Sequence, residues 1–178
     1  MVVLLAVPAC TNHASSGAQP LPSVTPGATA EESALNAVLA GLDGVMGDLQ
    51  RILVRERRIT PEVTDRLRAI YTGPELLNQI DAFKADVAAG LTGYKSNPGN
   101  RVTTVSRVIT ATSECVLAQV DRDYSPVTQG ARDARASLYV ILVPKRDTDD
   151  PRHLNPTPWT MLYDGVQDDG SQPDDVCR

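Results

Sequence analysis

Apolar residues recur every three or four positions between Leu35 and Leu53, the spacing that places them along one stripe of an α-helix. Thr29 and Glu32 precede this stripe as a capping box, in which each side chain satisfies a free backbone N–H group, so the helix is predicted to begin there. A glycine inside a helix lowers its stability by about 1 kcal/mol relative to alanine. We therefore expect a close contact with another element where three glycines interrupt the stripe: Gly41, Gly44 and Gly47.

Two shorter helices are predicted after the long one. Thr60 and Pro61 start the first of them, because proline is well tolerated at the first helical position, and it ends near Gly73. Pro74 starts the second, and the turn-forming residues of 93–100 end the helical half of the chain. The inward positions follow helical spacing: Val63, Leu67 and Ile70 in the first, and Leu76, Leu77, Ile80, Phe83, Val87 and Leu91 in the second.

The second half of the chain alternates β-branched and apolar segments with turn-forming residues, which predicts antiparallel strands. Trp159, Met161 and Tyr163 alternate on the last strand, so they are predicted to share one face. The range 146–158 is rich in Asp and Pro and predicts an exposed loop. The predicted strands are 101–109, 115–124, 136–145 and 159–164.

Helices followed by strands predict an α+β fold, with the N-terminal helices packed on one face of a curved, mostly antiparallel four-stranded sheet. The chain has 178 residues, which suits one such domain over 29–178. Its formal net charge is −5 and its pI is about 5.0. Proteins that bind the phosphate backbone usually carry a basic stripe, so nucleic acid is not an expected partner.

The first ten residues are apolar and end in a cysteine, the layout of a partial signal peptide that is too short to span a bilayer. They lack a basic segment, so we expect the true start to lie upstream. The sequence Val7-Pro8-Ala9-Cys10 resembles a bacterial lipobox, although Pro8 departs from its usual small residue. Cys10 is then lipid-modified; alternatively it is an incidental thiol in a disordered leader. Residues 11–28 predict a disordered tether.

The cysteine count also bears on the compartment. The chain has three cysteines, and if Cys10 is acylated an even pair remains, Cys115 and Cys177. We predict a disulfide between them that fastens the acidic C-terminal tail to the second strand, with two free thiols as the alternative. An anchored domain with a disulfide is expected on the extracytoplasmic face of the membrane, in the cell envelope.

A catalytic site is not evident. An enzyme would need a carboxylate in an apolar pocket, and the only candidates are Asp121, Asp123 and Tyr124 on the second strand. These residues are more simply the charged, solvated end of a strand. The aspartates of the tail lack the spacing of an EF-hand, and His153 lies in a loop without a recognisable nucleophile, so neither a metal nor a cofactor is predicted.

Two local patterns resemble a known family. Thr72-Gly73-Pro74-x-Leu76 precedes the third helix, and Trp159 and Met161 lie on the last strand. The chain thereby resembles small exported lipoproteins of actinobacteria with the cone-like fold of nuclear transport factor two. The resemblance implies a sheet that curls around the long helix to form a pocket. Some members use this pocket for isomerase, hydrolase or cyclase chemistry, many only for binding or assembly, and some accompany mammalian-cell-entry transporters.

The sequence supports three functional hypotheses. The first is a non-enzymatic, lipid-anchored extracytoplasmic domain that binds a small apolar ligand or an envelope partner protein. The second is a cone-fold enzyme with Asp121 or Asp123 as general base, which requires that carboxylate to lie buried in a pocket beside Tyr or Trp. The third is a structural accessory whose pocket is filled by side chains. The residues expected to line the pocket are Tyr139, Trp159, Met161 and Tyr163.

Overall fold

The computed structural model describes residues 29–130 and 134–166, together with Pro173 and Cys177. Within these residues, three helices precede four strands, as predicted. The predicted signal segment, lipobox and tether lie outside the described residues. The helices are α1 (Thr29–Glu56), α2 (Pro61–Ile70) and α3 (Gly73–Ala88), and the strands are β1 (Val102–Ala111), β2 (Val116–Asp123), β3 (Arg135–Pro144) and β4 (Trp159–Gly165).

The four strands form one antiparallel sheet in the order β1-β2-β3-β4. Its inner face packs against the helices, and the apolar stripe of α1 supplies much of the core between them. The α+β prediction is therefore confirmed. Representative buried residues are Leu39, Leu42, Leu49 and Leu53 from α1, and Val116, Ala118, Val120, Val140 and Leu142 from the sheet.

Two of the three glycines in α1 lie at close contacts, as predicted. A Cβ atom on Gly41 would meet the side chain of Thr157, and one on Gly47 would collide with Asn100. Gly44 differs, because a Cβ atom there would meet no neighbouring atom within 4 Å. The loops that precede β1 and β4 thus approach the long helix where it lacks side chains.

A β-bulge in β4 changes which residues face the core. Ile141 of β3 pairs with Tyr163, whereas the next residue along β3, Leu142, pairs with Met161, so Leu162 is the extra residue. Met161 consequently lies on the inner face, Tyr163 on the outer face and Asp164 on the inner face. The prediction that Tyr163 shares a face with Met161 is wrong for this reason.

The loop before β4 is not fully exposed, contrary to the prediction. Asp150, Asn155 and Thr157 are buried within it. Asp150 accepts a 3.1 Å hydrogen bond from Lys145 Nζ, and Asn155 Nδ2 donates a 2.7 Å bond to the carbonyl of Ala69 in α2. Short polar side chains can satisfy a buried loop backbone in this way, so a polar composition did not imply exposure.

The predicted disulfide between Cys115 and Cys177 is present and joins residues 62 apart in the chain. It lies on the outer face of the sheet, away from the helices. There it packs in a second apolar cluster with Leu117 and Ile141. Tyr139 and Tyr163 border the same cluster.

Both edges of the sheet are hydrogen bonded to helical or loop residues. On β1, the backbone N–H groups of Thr103 and Val105 each donate a 2.8 Å bond, to Asp43 Oδ2 and Asn36 Oδ1 of α1. On β4, the N–H of Thr72 donates a 2.9 Å bond to the carbonyl of Met161. Strand edges with free backbone groups invite pairing with other chains, and these contacts occupy two N–H groups of β1 and one carbonyl of β4.

Candidate functional site: a buried charged cluster beside an inner cavity

Four charged side chains meet under the inner face of the sheet. Asp43 comes from α1, Arg101 from the residue before β1, Arg122 from β2 and Asp164 from β4. Their side chains are at most 5% exposed. We call these four residues the charged cluster. Charged groups are rarely buried unless they are paired, so the cluster is the most unusual feature of the core.

The charged cluster forms one chain of ion pairs. Arg101 Nε donates a 2.7 Å hydrogen bond to Asp43 Oδ1, and Arg122 Nη1 donates a 2.6 Å bond to Asp164 Oδ1. The two pairs approach each other where Arg101 Nη2 lies 3.7 Å from Asp164 Oδ2. Tyr71 OH donates a further 2.9 Å bond to Asp164 Oδ2. Asp164 therefore links both arginines and the end of α2.

Local sequence explains how each element brings its charge inside. Arg122 continues the inner-facing alternation of β2, two residues after the buried Val120. Asp43 lies on the buried stripe of α1, four residues after Leu39. Asp164 reaches the interior only because of the bulge in β4.

Burial and pairing act against each other on the ionisation of the cluster. Burial alone would raise the pKa of Asp164, but Arg122 and Arg101 outweigh it and hold that pKa below its usual value. Burial likewise opposes the charge of Arg101, yet the carboxylates of Asp164 and Asp43 raise its pKa well above the ordinary range. Burial raises the pKa of Tyr71, which keeps the phenol protonated as a hydrogen-bond donor.

An inner cavity of about 290 Å³ adjoins the charged cluster. This volume lies near the lower end of the ~300–1,000 Å³ typical of ligand pockets. The lining is mixed, with apolar side chains on one part and polar side chains on the other. The apolar residues include Met46, Phe83, Val127 and Leu138, and the polar ones include Gln50, Gln79, Asp86, Arg101, Arg122, Tyr124 and Asp164.

Three buried polar atoms of the cavity residues have no hydrogen-bond partner within the described part of the chain. They are Nη2 of Arg101, Nη2 of Arg122 and the side-chain oxygen of Gln50. A buried polar group left without a partner costs about 1–3 kcal/mol, and more if it is charged. Such groups are rare in folded proteins, and three of them belong to residues that line one cavity, which makes this cavity the candidate ligand site.

Two further carboxyl groups lie near the cavity. Asp86 lines it and accepts a 2.6 Å hydrogen bond from Tyr94 OH. Burial and, to a smaller extent, this bond raise the pKa of Tyr94. Glu75, at the start of α3, is 7% exposed and accepts a 2.7 Å bond from Gln79 Nε2. Burial raises the pKa of Glu75. The α3 side of the cavity is thus rich in acceptors.

The predicted catalytic set is divided between the two faces of the sheet. Asp121 is exposed, and Asp123 accepts a 2.8 Å bond from the N–H of Ser125; both line a hollow of about 450 Å³ with Arg135 on the outer face. Tyr124 instead lines the inner cavity, where its OH lies 3.4 Å from Arg122 Nη1. The enzyme hypothesis required one of these aspartates to be buried in a pocket beside Tyr or Trp, and neither of them is buried.

The four residues predicted to line a pocket are also divided. Trp159 and Met161 are buried in the main core, whereas Tyr139 and Tyr163 lie on the outer face. None of these four lines the inner cavity. Sequence reasoning instead missed the charged cluster, although Asp43 and Arg122 interrupt otherwise apolar faces, which is a readable signal.

Comparison with protein-family models, with curated proteins and with solved structures found no match to this chain. Among the described residues, no three or more His, Cys, Asp or Glu side chains are grouped as metal ligands would be. The helices of the described ranges include none with the length and apolar character needed to cross a bilayer. The geometry of the inner cavity and the charged cluster is therefore the main guide to function.

Proposed function

We propose that this chain is a lipid-anchored extracytoplasmic binding module that holds a small ligand in the inner cavity. One observation carries the proposal: the cavity is lined by two buried arginines and a glutamine that each have an atom without a hydrogen-bond partner in the described structure. Binding sites combine apolar walls with a few polar groups that fix the orientation of the ligand, and this cavity has both.

Two features support the extracytoplasmic part of the proposal. The disulfide between Cys115 and Cys177 is typical of proteins that fold in an oxidising compartment. The apolar segment that ends at Cys10 resembles a lipobox, which supports anchoring through that cysteine. The proposed ligand is therefore a molecule that the protein encounters on the extracytoplasmic side of the membrane.

Binding is favoured over catalysis by the state of the carboxylates. Asp121 and Asp123 lie on the outer face, so they are remote from the inner cavity wall. Asp164 is buried beside the cavity, but its arginine partners lower its pKa, which makes it a weak proton acceptor near neutral pH. The charged cluster is better suited to hold hydrogen-bonding groups in fixed positions.

The cavity can be tested by closing its mouth without touching the charged cluster. Ala82 is an exposed residue of α3 that lines the cavity, and Ala85 is an exposed residue of the same helix that does not. Toluene, titrated into ¹⁵N-labelled protein, should shift the amide signals of Phe83 and Leu138 in the wild type and in Ala85→Trp. In Ala82→Trp the response should fall at least about tenfold. An equal response in both variants would overturn the proposal.

The anchor needs a separate test. The full chain, expressed in a bacterium with a complete signal sequence, should incorporate labelled palmitate. Cys10→Ala should abolish the label and release the protein from the membrane fraction. Retention of the label in that variant would show that the anchor is elsewhere, and absence of label in the wild type would exclude lipid anchoring.

A further inference from the structure

We infer that the ligand of the inner cavity is a neutral molecule with a hydroxyl group on an apolar body. The inference rests on the proposed binding function and names the class of ligand. It follows from three properties of the cavity: the hydrogen-bonding groups that lack partners, the balance of charges around them and the apolar part of the wall.

The unpartnered groups require both an acceptor and a donor from the ligand. Nη2 of Arg122 can only donate, so it needs an acceptor oxygen. Nη2 of Arg101 has the same need for a hydrogen bond, because the nearest carboxylate oxygen, Oδ2 of Asp164, is 3.7 Å away and beyond hydrogen-bond distance. The side-chain oxygen of Gln50 can only accept, so it needs a donor. A hydroxyl group offers both, because it carries one donor hydrogen and two acceptor lone pairs.

The charge balance disfavours a negatively charged ligand. The arginines of the charged cluster are already paired with Asp43 and Asp164, and Asp86 adds a third carboxylate at the cavity wall. Glu75 accepts a hydrogen bond from Gln79, and burial raises the pKa of Glu75. A ligand carboxylate would add another negative charge where two guanidinium groups are already balanced by Asp43 and Asp164, and where Asp86 lines the same cavity.

A positively charged ligand fails for a different reason. An ammonium group has donors and no acceptor, so it would offer no hydrogen bond to the Nη2 groups of the two arginines. It would also lie near two cations inside the protein. A neutral ligand avoids both penalties.

The apolar wall accounts for the rest of the ligand. Met46, Phe83, Val127 and Leu138 lie on the wall of the same cavity. The three unpartnered atoms are almost without exposed surface, so the ligand reaches them only as their side chains shift. Such a shift would change the hydrogen bonds that the Nε–H groups of Arg101 and Arg122 donate to Asp43 and Thr103. The NMR signals of these Nε–H groups should therefore move on binding.

Four probes of similar size separate the ligand classes: benzyl alcohol, toluene, benzoate and benzylammonium. Titration into ¹⁵N-labelled full-length protein should show benzyl alcohol binding at least about tenfold more tightly than each of the other three, the scale expected for satisfying a buried polar group. The arginine Nε–H signals should shift with benzyl alcohol and much less with toluene.

A variant pair then assigns the donor contact. Gln50→Leu should weaken benzyl alcohol binding to about the level at which the wild type binds toluene. Gln119→Leu is the control, because Gln119 lies on β2 and its side chain bonds Ser137 away from the cavity. That variant should bind benzyl alcohol as the wild type does.

The outcomes are distinguishable. If benzoate or benzylammonium binds most tightly, the ligand is charged and the inference is wrong. Equal binding of benzyl alcohol and toluene also overturns the hydroxyl contact, but leaves the binding function intact. If no probe shifts the cavity residues, both the inference and the proposed function fail.

Discussion

Arg122 and Asp164 lie 42 residues apart and form a 2.6 Å ion pair whose side chains are 1% and 3% exposed. Removing one partner of such a pair leaves the other charge buried and uncompensated, which costs about 3–5 kcal/mol. Asp164→Asn keeps the shape of the side chain and removes its charge. We expect the free energy of unfolding, measured with urea, to fall by about that amount.

An exposed pair supplies the control for this prediction. Lys84 and Asp81 of α3 lie 2.9 Å apart, and their side chains are 60% and 74% exposed. Exposed pairs contribute about 0–1 kcal/mol, so Asp81→Asn should change the free energy of unfolding by no more than about 1 kcal/mol. Equal losses in the two variants would show that Asp164 is not held as the structure places it.

The stability should depend on acid pH through Asp164. Its folded pKa is lowered, against an unfolded value of about 3.9. The stability it contributes is complete above the unfolded pKa and is lost as the pH falls toward the folded pKa. The difference in unfolding free energy between the wild type and Asp164→Asn should therefore be constant above about pH 5 and shrink below about pH 4.

The comparison with the variant is needed because Asp164 is not alone in this behaviour. Burial opposes the charge of Asp150, but bonds from the N–H groups of Asn155 and Leu154 and from Lys145 lower its pKa overall. Asp150 therefore also contributes to the loss of stability in acid. A difference that stays constant down to about pH 2 would contradict the prediction for Asp164.

The glycines of α1 provide opposite expectations within one helix. Gly44→Ala should raise the free energy of unfolding by up to about 1 kcal/mol, because a Cβ atom there meets no neighbour within 4 Å. Gly47→Ala should lower it by about 1–3 kcal/mol, because its Cβ atom would collide with Asn100. Thermal and urea unfolding check both. Stabilisation by Gly47→Ala would show that the loop before β1 does not press on the helix.

Loss of the disulfide should destabilise the fold. The bond closes a loop between residues 62 apart, and removal of a native disulfide typically costs about 2–5 kcal/mol. The double variant Cys115→Ala and Cys177→Ala should lose stability in this range. The wild type should take up an alkylating agent at these cysteines only after reduction, as intact mass will show. Alkylation without reduction would mean that the thiols are free.

The fold was accessible from the sequence because its signals are local. Helical spacing located α1, and alternation with turn residues located the strands. Cysteine arithmetic identified the pair Cys115 and Cys177, which the structure confirms. These patterns need no knowledge of which elements meet in space.

The candidate site depends on contacts that sequence spacing does not contain. Arg101 finds its partner Asp43 at a distance of 58 residues, and the bulge at Leu162 decides that Asp164 rather than Tyr163 faces inward. A single inserted residue reverses every later side chain of a strand. Asp43 was nevertheless visible as a charge on an apolar stripe, and such interruptions are worth treating as candidates for buried networks.

The bonds from Asn36 and Asp43 to β1 also limit how this molecule can assemble. A second chain that extended the sheet at this edge would first have to detach α1 and expose the charged cluster, since Asp43 belongs to both. Aggregation by strand addition is thereby coupled to loss of the core itself. Association of folded copies through this edge is therefore not expected.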